Sequence, residues 1–209
     1  MDVFMKQLRE TLLRGDRPSL LQSLRSYAIN PANEATSWGV IYELAQDMTP
    51  ETFWFLFHRL YTGVFVDPVQ CLDLFKRFRT GHTPELMADK NRLLYVNMPD
   101  QFTIYRGQDN NRGRSMSWSV SRQIASFYGS NPKHASPVLL TAQIKRGDVC
   151  AIFEETGEYE IIPWSPDDLD ATTTPVDHEE AERGFYKIQQ RRAALLQQAV
   201  LAHGDSVTA

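Results

Sequence analysis

Two carboxylates, Glu158 and Glu160, stand two residues apart in the run Thr156-Gly157-Glu158-Tyr159-Glu160-Ile161-Ile162-Pro163. Side chains alternate along an extended strand, so this spacing sends both glutamates to one face and Tyr159 to the other. Adjacent carboxylates repel, which is costly unless the pair has something to act on. An isolated Glu-x-Glu is most often a solvated strand end. What sets this one apart is its company upstream. Thr103-Ile104-Tyr105-Arg106-Gly107 and Met116-Ser117-Trp118-Ser119 each read as a short strand ending in polar chemistry. A fixed cation, a pair of hydroxyls and a pair of carboxylates thus follow one another along the chain.

The elements that must position these groups lie between residues 99 and 164. Gln101–Arg106, Pro137–Ile144, Asp148–Phe153 and Glu158–Ile162 read as strands, and Ser121–Gly129 as a short helix capped by Ser121. Pro163–Pro175, rich in Pro, Asp and Thr, reads as a linker. Residues 178–203 form a strong helix in which Ala181, Phe185 and Ile188 share a face and Gly204 is the stop. Residues 1–98 are helical. Thr49-Pro50-Glu51, Asp67-Pro68 and Thr83-Pro84-Glu85 each place a capping residue before a proline at the first helical position. Leu20, Leu21, Leu24, Tyr27 and Ala28 keep helical spacing until Asn30-Pro31. Leu72, Phe75, Phe78 and Arg79 keep it until Thr80-Gly81. Phe53–Tyr61 is aromatic nearly all round, so that helix belongs at the centre of its bundle. The expected fold is α+β: a helical region 1–98, then a sheet core with a C-terminal helix over 99–209.

The 209 residues suffice for one sizeable domain or two small ones, and 42% hydrophobic with 23% charged is ordinary globular material. No apolar run approaches a membrane span, and Met1–Gln7 lacks the basic and apolar blocks of a secretory signal. Cys71 and Cys150 are too few and too far apart for a metal site, so buried thiols in a reducing cytoplasm are expected. Charge is unevenly spread. Residues 101–147 carry 7 Lys and Arg against one acidic residue, whereas 148–209 carry 4 against 13. The basic stretch coincides with the arginine and serine motifs and suits a pyrophosphate or a nucleic acid. Other patterns fall short. Gly107–Ser115 has five spacers and Arg114 where a phosphate loop needs lysine, and His178-Glu179-Glu180 lacks the second histidine of a zinc motif. Arg14-Gly15-Asp16 and Arg146-Gly147-Asp148 read as turns, and the five histidines are scattered.

Arginine, then Ser-x-Ser, then Glu-x-Glu, in that order, resembles the arginine–serine–glutamate class of mono-ADP-ribosyltransferases. The resemblance covers roughly residues 99–163 and leaves the helical half outside it. It implies a split-sheet core, NAD+ as co-substrate without a metal, and a role for each motif residue. Glu160, the second glutamate, would hold the nicotinamide ribose and stabilise its oxocarbenium-like cation. Arg106 would grip an NAD+ phosphate with its planar fork. The backbone at Gly107, with Tyr105 beside it, would meet the nicotinamide amide. Ser117 would hydrogen-bond Glu160 and fix its rotamer, with Ser119 completing the motif, and Glu158 would orient or deprotonate the acceptor. Phe127 or Tyr128 would pack on the nicotinamide or serve as core aromatics. Trp118 stands where many members have threonine, and alternation turns it into the sheet. The acceptor is a protein, RNA or DNA. An intracellular bacterial or phage toxin or defence effector, with an antitoxin or regulatory partner, is the role this implies. The rivals are a non-catalytic helical adaptor, which would not bind NAD+, and an NAD+ glycohydrolase.

Overall fold

The computed structural model of the chain describes residues 2–29, 37–61, 68–113, 115–155 and 158–204. The chain divides into two compact units, Met1–Arg92 and Leu93–Ala209. The division falls inside the helix Asp89–Asn97 (α6), before the border at residue 98 expected from sequence.

The first unit is helical: α1 (Asp2–Leu13), α2 (Arg17–Ile29), α3 (Ser37–Leu44), α4 (Pro50–Leu60) and α5 (Pro68–Phe78) precede α6. At the head of α4, the Thr49 hydroxyl accepts from the Thr52 N–H at 3.3 Å, and Pro50 fills the first position, where no N–H is needed. Phe53, Trp54, Leu56 and Phe57 are all buried. Phe53 stacks on Phe78 at 4.7 Å, Trp54 on Phe75 at 5.4 Å, and the Trp54 indole N–H donates to the Phe78 carbonyl. This ring cluster ties α4 to α5. Leu20 and Leu24 of α2 are buried as their spacing predicts, but on α5 Leu74 enters the core while Leu72 is half-buried. Thr83-Pro84-Glu85 opens only a 3-10 turn, Pro84–Leu86, because Met87 leaves the helical region to bury its side chain. Asp67, Asn30-Pro31, Arg114 and Thr156-Gly157 lie outside the described residues.

His58 is buried on α4, its ring 5.8 Å from Trp54 and 5.7 Å from His82. Burial pushes its pKa down to about 3, with His82 and Arg59 acting in the same direction. The folded chain therefore keeps His58 neutral while the unfolded chain protonates it near 6.5. Its contribution is fully present above pH 6.5 and is lost as pH falls from 6.5 towards 3, by about 1.4 kcal/mol per pH unit. Between pH 6.5 and 5, unfolding free energy from urea titrations should fall about that much more steeply in the wild type than in His58→Phe. Equal slopes would mean that His58 is charged in the fold.

The second unit carries β1 (Gln101–Asp109), β2 (Trp118–Ser119), α7 (Arg122–Gly129), β3 (Pro137–Lys145), β4 (Val149–Glu155), β5 (Glu158–Pro163), β6 (Ala171–Pro175) and α8 (His178–Gly204). The strands form one open antiparallel sheet in the order β4-β5-β2-β1-β3-β6. The segment expected as a linker thus contains an edge strand. Thr172, Thr173 and Thr174 are β-branched and pair with Thr141, Leu140 and Leu139 of β3. Pro175, which has no N–H for a ladder, ends it. β1 runs three residues past Arg106, whereas β2 spans only two. Arg146-Gly147-Asp148 forms a 3-10 turn, as its sequence reads, and Arg146 also clamps the entry to β1. Its guanidinium donates to the Val96 and Met98 carbonyls and to the Asp100 carboxylate at 2.6 Å.

Candidate functional site

The strand order places β5, β2 and β1 side by side, so three motifs far apart in sequence become neighbours. Ser119 pairs with Tyr105 on one side and Glu160 on the other, and Glu160 pairs in turn with Phe153. Side chains in one such row share a face. Tyr105, Ser119 and Glu160 therefore form a single polar rung across three strands. Ser119, rather than Ser117, lies across from Glu160, because the β2–β5 register pairs Trp118 with Ile161. The Ser119 hydroxyl accepts from the Ser121 N–H at 3.0 Å, which ties the rung to the cap of α7.

Arg106 is one residue along β1 and starts on the opposite pleat from Tyr105. Its Nε donates to Gln108 Oε1 at 2.8 Å and one terminal nitrogen donates to the Ser117 carbonyl. Ser117 thus contributes its backbone to the arginine. Gln108 is a site residue the sequence reading missed. Two positions from Arg106 on an extended strand, it shares that face, and its buried amide also donates to the Arg112 carbonyl at 3.0 Å. The Arg-x-Gln spacing was the available signal. Glu158 opens β5 opposite Glu155, and its side chain lies outside the described part.

Gly107 carries α7. A Cβ there would lie 1.9 Å from the Ala125 carbonyl oxygen and 2.3 Å from the Gly129 nitrogen, so only glycine lets the helix sit this close. The β1 strand ends on Asp109, whose carboxylate accepts from the Asn111 and Ala135 N–H groups; these bonds hold its pKa below the usual carboxylate range. Trp118 is buried as alternation predicts, and its indole N–H has no hydrogen-bond partner among the described residues. Phe127 turns towards α8, its ring 5.7 Å from Phe185. The Tyr159 carbonyl accepts from the Val120 N–H, and its ring lies 5.2 Å from the Arg191 guanidinium of α8. The strand bearing both glutamates is therefore held by β4, by β2 and by a contact from the last helix. Among the described residues no group of three or more His, Cys, Asp and Glu side chains could hold a metal ion.

No family model, no curated protein and no solved structure matches the chain.

Proposed function

We propose that the second unit is a mono-ADP-ribosyltransferase that moves ADP-ribose from NAD+ to a macromolecular acceptor. The observation that carries this reading is the adjacency of β1, β2 and β5, which sets the strands bearing the arginine, the serine motif and the Glu-x-Glu side by side. In the reaction, the bond from ribose C1′ to the nicotinamide nitrogen breaks, and nicotinamide leaves neutral with the bond pair. The acceptor nucleophile bonds to C1′ and gives up its proton. Positive charge gathers on the ribose as the bond lengthens, and a fixed carboxylate lowers the energy of that state. Glu160, set in the backbone ladder between Ser119 and Phe153, supplies it. Glu158 receives the acceptor and its proton. Arg106, oriented by Gln108 and the Ser117 carbonyl, meets the NAD+ phosphates.

The test is release of nicotinamide from labelled NAD+ by the purified chain. Absence of both NAD+ binding and nicotinamide release would return the protein to the adaptor class. Arg106→Lys sharpens the assignment. Lysine keeps the charge but cannot satisfy Gln108 and Ser117 while presenting a fork, so NAD+ affinity should fall about tenfold or more. An unchanged dissociation constant in calorimetry would remove Arg106 from the site.

A further inference from the structure

Helix α8 reverses its charge along its length. Glu179 and Glu180 lie in its first turn and Glu182 just beyond it, whereas Arg183, Lys187, Arg191 and Arg192 follow with no acidic residue among them. These four are all the cations of residues 148–209, an otherwise acidic stretch. Arg183, Lys187 and Arg191 recur every fourth residue and so form one row on the helix surface. The row ends at the strand that carries the glutamates, where Arg191 lies 5.2 Å from the ring of Tyr159. Beside the cations lies a group of rings that a folded chain normally hides. Tyr186 is 64% exposed, Phe185 41% and Tyr128 46%. They form a continuous series with Phe127: Tyr128 to Phe127 at 5.3 Å, Phe127 to Phe185 at 5.7 Å, Phe185 to Tyr186 at 5.8 Å. Gly184 makes this surface possible. A Cβ there would lie 2.1 Å from the Gln123 carbonyl oxygen, so α8 sits directly on α7, which itself sits on Gly107 beside Arg106.

Resting on the transferase reading, we propose that this face of α8 and α7 binds a single-stranded nucleic acid and delivers it to Glu158 and Glu160 as the acceptor. Exposed rings interleaved with cations suit an unpaired strand, whose bases stack on the rings while its phosphates meet the cations. A duplex would keep its bases hidden from the rings. Chemically, a nucleophilic nitrogen or oxygen on a base or sugar bonds to ribose C1′ as neutral nicotinamide departs, and the nucleophile releases one proton.

The experiment uses the full chain and a labelled mixed-sequence RNA of about 16 nucleotides, its DNA counterpart and the matching duplex. Fluorescence anisotropy should show the single strands binding more tightly than the duplex. Contact with three to four phosphates predicts affinity roughly 20- to 50-fold weaker at 200 mM than at 50 mM salt. Tyr186→Ala and Lys187→Glu, both at exposed positions, should each weaken binding about tenfold. Labelled NAD+ added with the RNA should yield a nuclease-sensitive, protease-resistant product. Tighter duplex binding, wild-type affinity in both variants, or label found only in protease-sensitive material would overturn the proposal. Nicotinamide release without strand binding defeats this inference and leaves the transferase reading standing. Strand binding without nicotinamide release defeats the transferase reading instead, and with it the acceptor role.

Discussion

Replacing Glu160 by glutamine is expected to lower both nicotinamide release and acceptor labelling by roughly two to four orders of magnitude. Glutamine keeps the size and hydrogen-bonding capacity of the side chain and removes only the charge that meets the developing cation. The backbone of Glu160 is secured in ladder pairs with Ser119 and Phe153, so the exchange should not disturb the strand. Loss of activity without loss of thermal stability would therefore report on chemistry. Glu158→Gln provides the contrast. In the proposed mechanism Glu158 serves the incoming nucleophile, so labelling should disappear while slow hydrolysis of NAD+ by water persists. Two purified variants and two assays separate the cases. A wild-type rate in Glu160→Gln would refute the catalytic assignment. Equal loss of hydrolysis in both would refute the division between them.

The second large effect concerns Gly107. An alanine Cβ at 1.9 Å from a backbone carbonyl oxygen cannot be absorbed by turning a side chain, so α7 must shift as a whole. That helix is held from above by Gly184 of α8 and by the Arg122–Glu180 ion pair at 2.7 Å, and resists the shift. Gly107→Ala should cost about 3 kcal/mol, the upper end for overpacking, and lower the melting temperature of this unit by about 10 °C or more. Gly113→Ala, where a Cβ would meet nothing within 4 Å, is the control and should fall within about 0.5 kcal/mol of wild type. If the two alanines behave alike, α7 does not lie on Gly107 as described.

Which parts of this were legible beforehand follows from the physics of each signal. Thr49-Pro50 announced its helix because a cap and a proline act locally, within one turn. Alternation predicted Trp118 inside the sheet, and its side chain is buried there. Signals that depend on distant partners were misread or missed. Thr172–Thr174 looked like linker because its strand character is realised only against β3. Arg146-Gly147-Asp148 is the turn its sequence announced, but the clamp its side chain makes was not legible, because its acceptors, the Val96 and Met98 carbonyls and Asp100, lie far back along the chain. The family resemblance names Ser117 as the partner of Glu160, whereas the ladder sets Ser119 across from it; only the register, which a sequence does not carry, fixes which residue of β2 stands opposite. The Thr83-Pro84 signal failed differently: it was correct for one turn, and then the burial of Met87 overrode it.

The pairing of Ser119 with Glu160 also bears on when the site can exist at all. It closes a loop of roughly 40 residues, and non-local pairings of this kind form late and slowly, because chain entropy must be lost before any contact compensates. The helices of the first unit draw on contacts close in sequence and should collapse sooner. A ribosome delivers the chain from its N-terminus, so the helical unit has its whole sequence while the sheet still lacks β5. Until β5 has emerged and paired with β2, Ser119 has no carboxylate opposite it. On the proposed reading, a chain cut short before Glu158 would carry every other motif residue and show no activity towards NAD+.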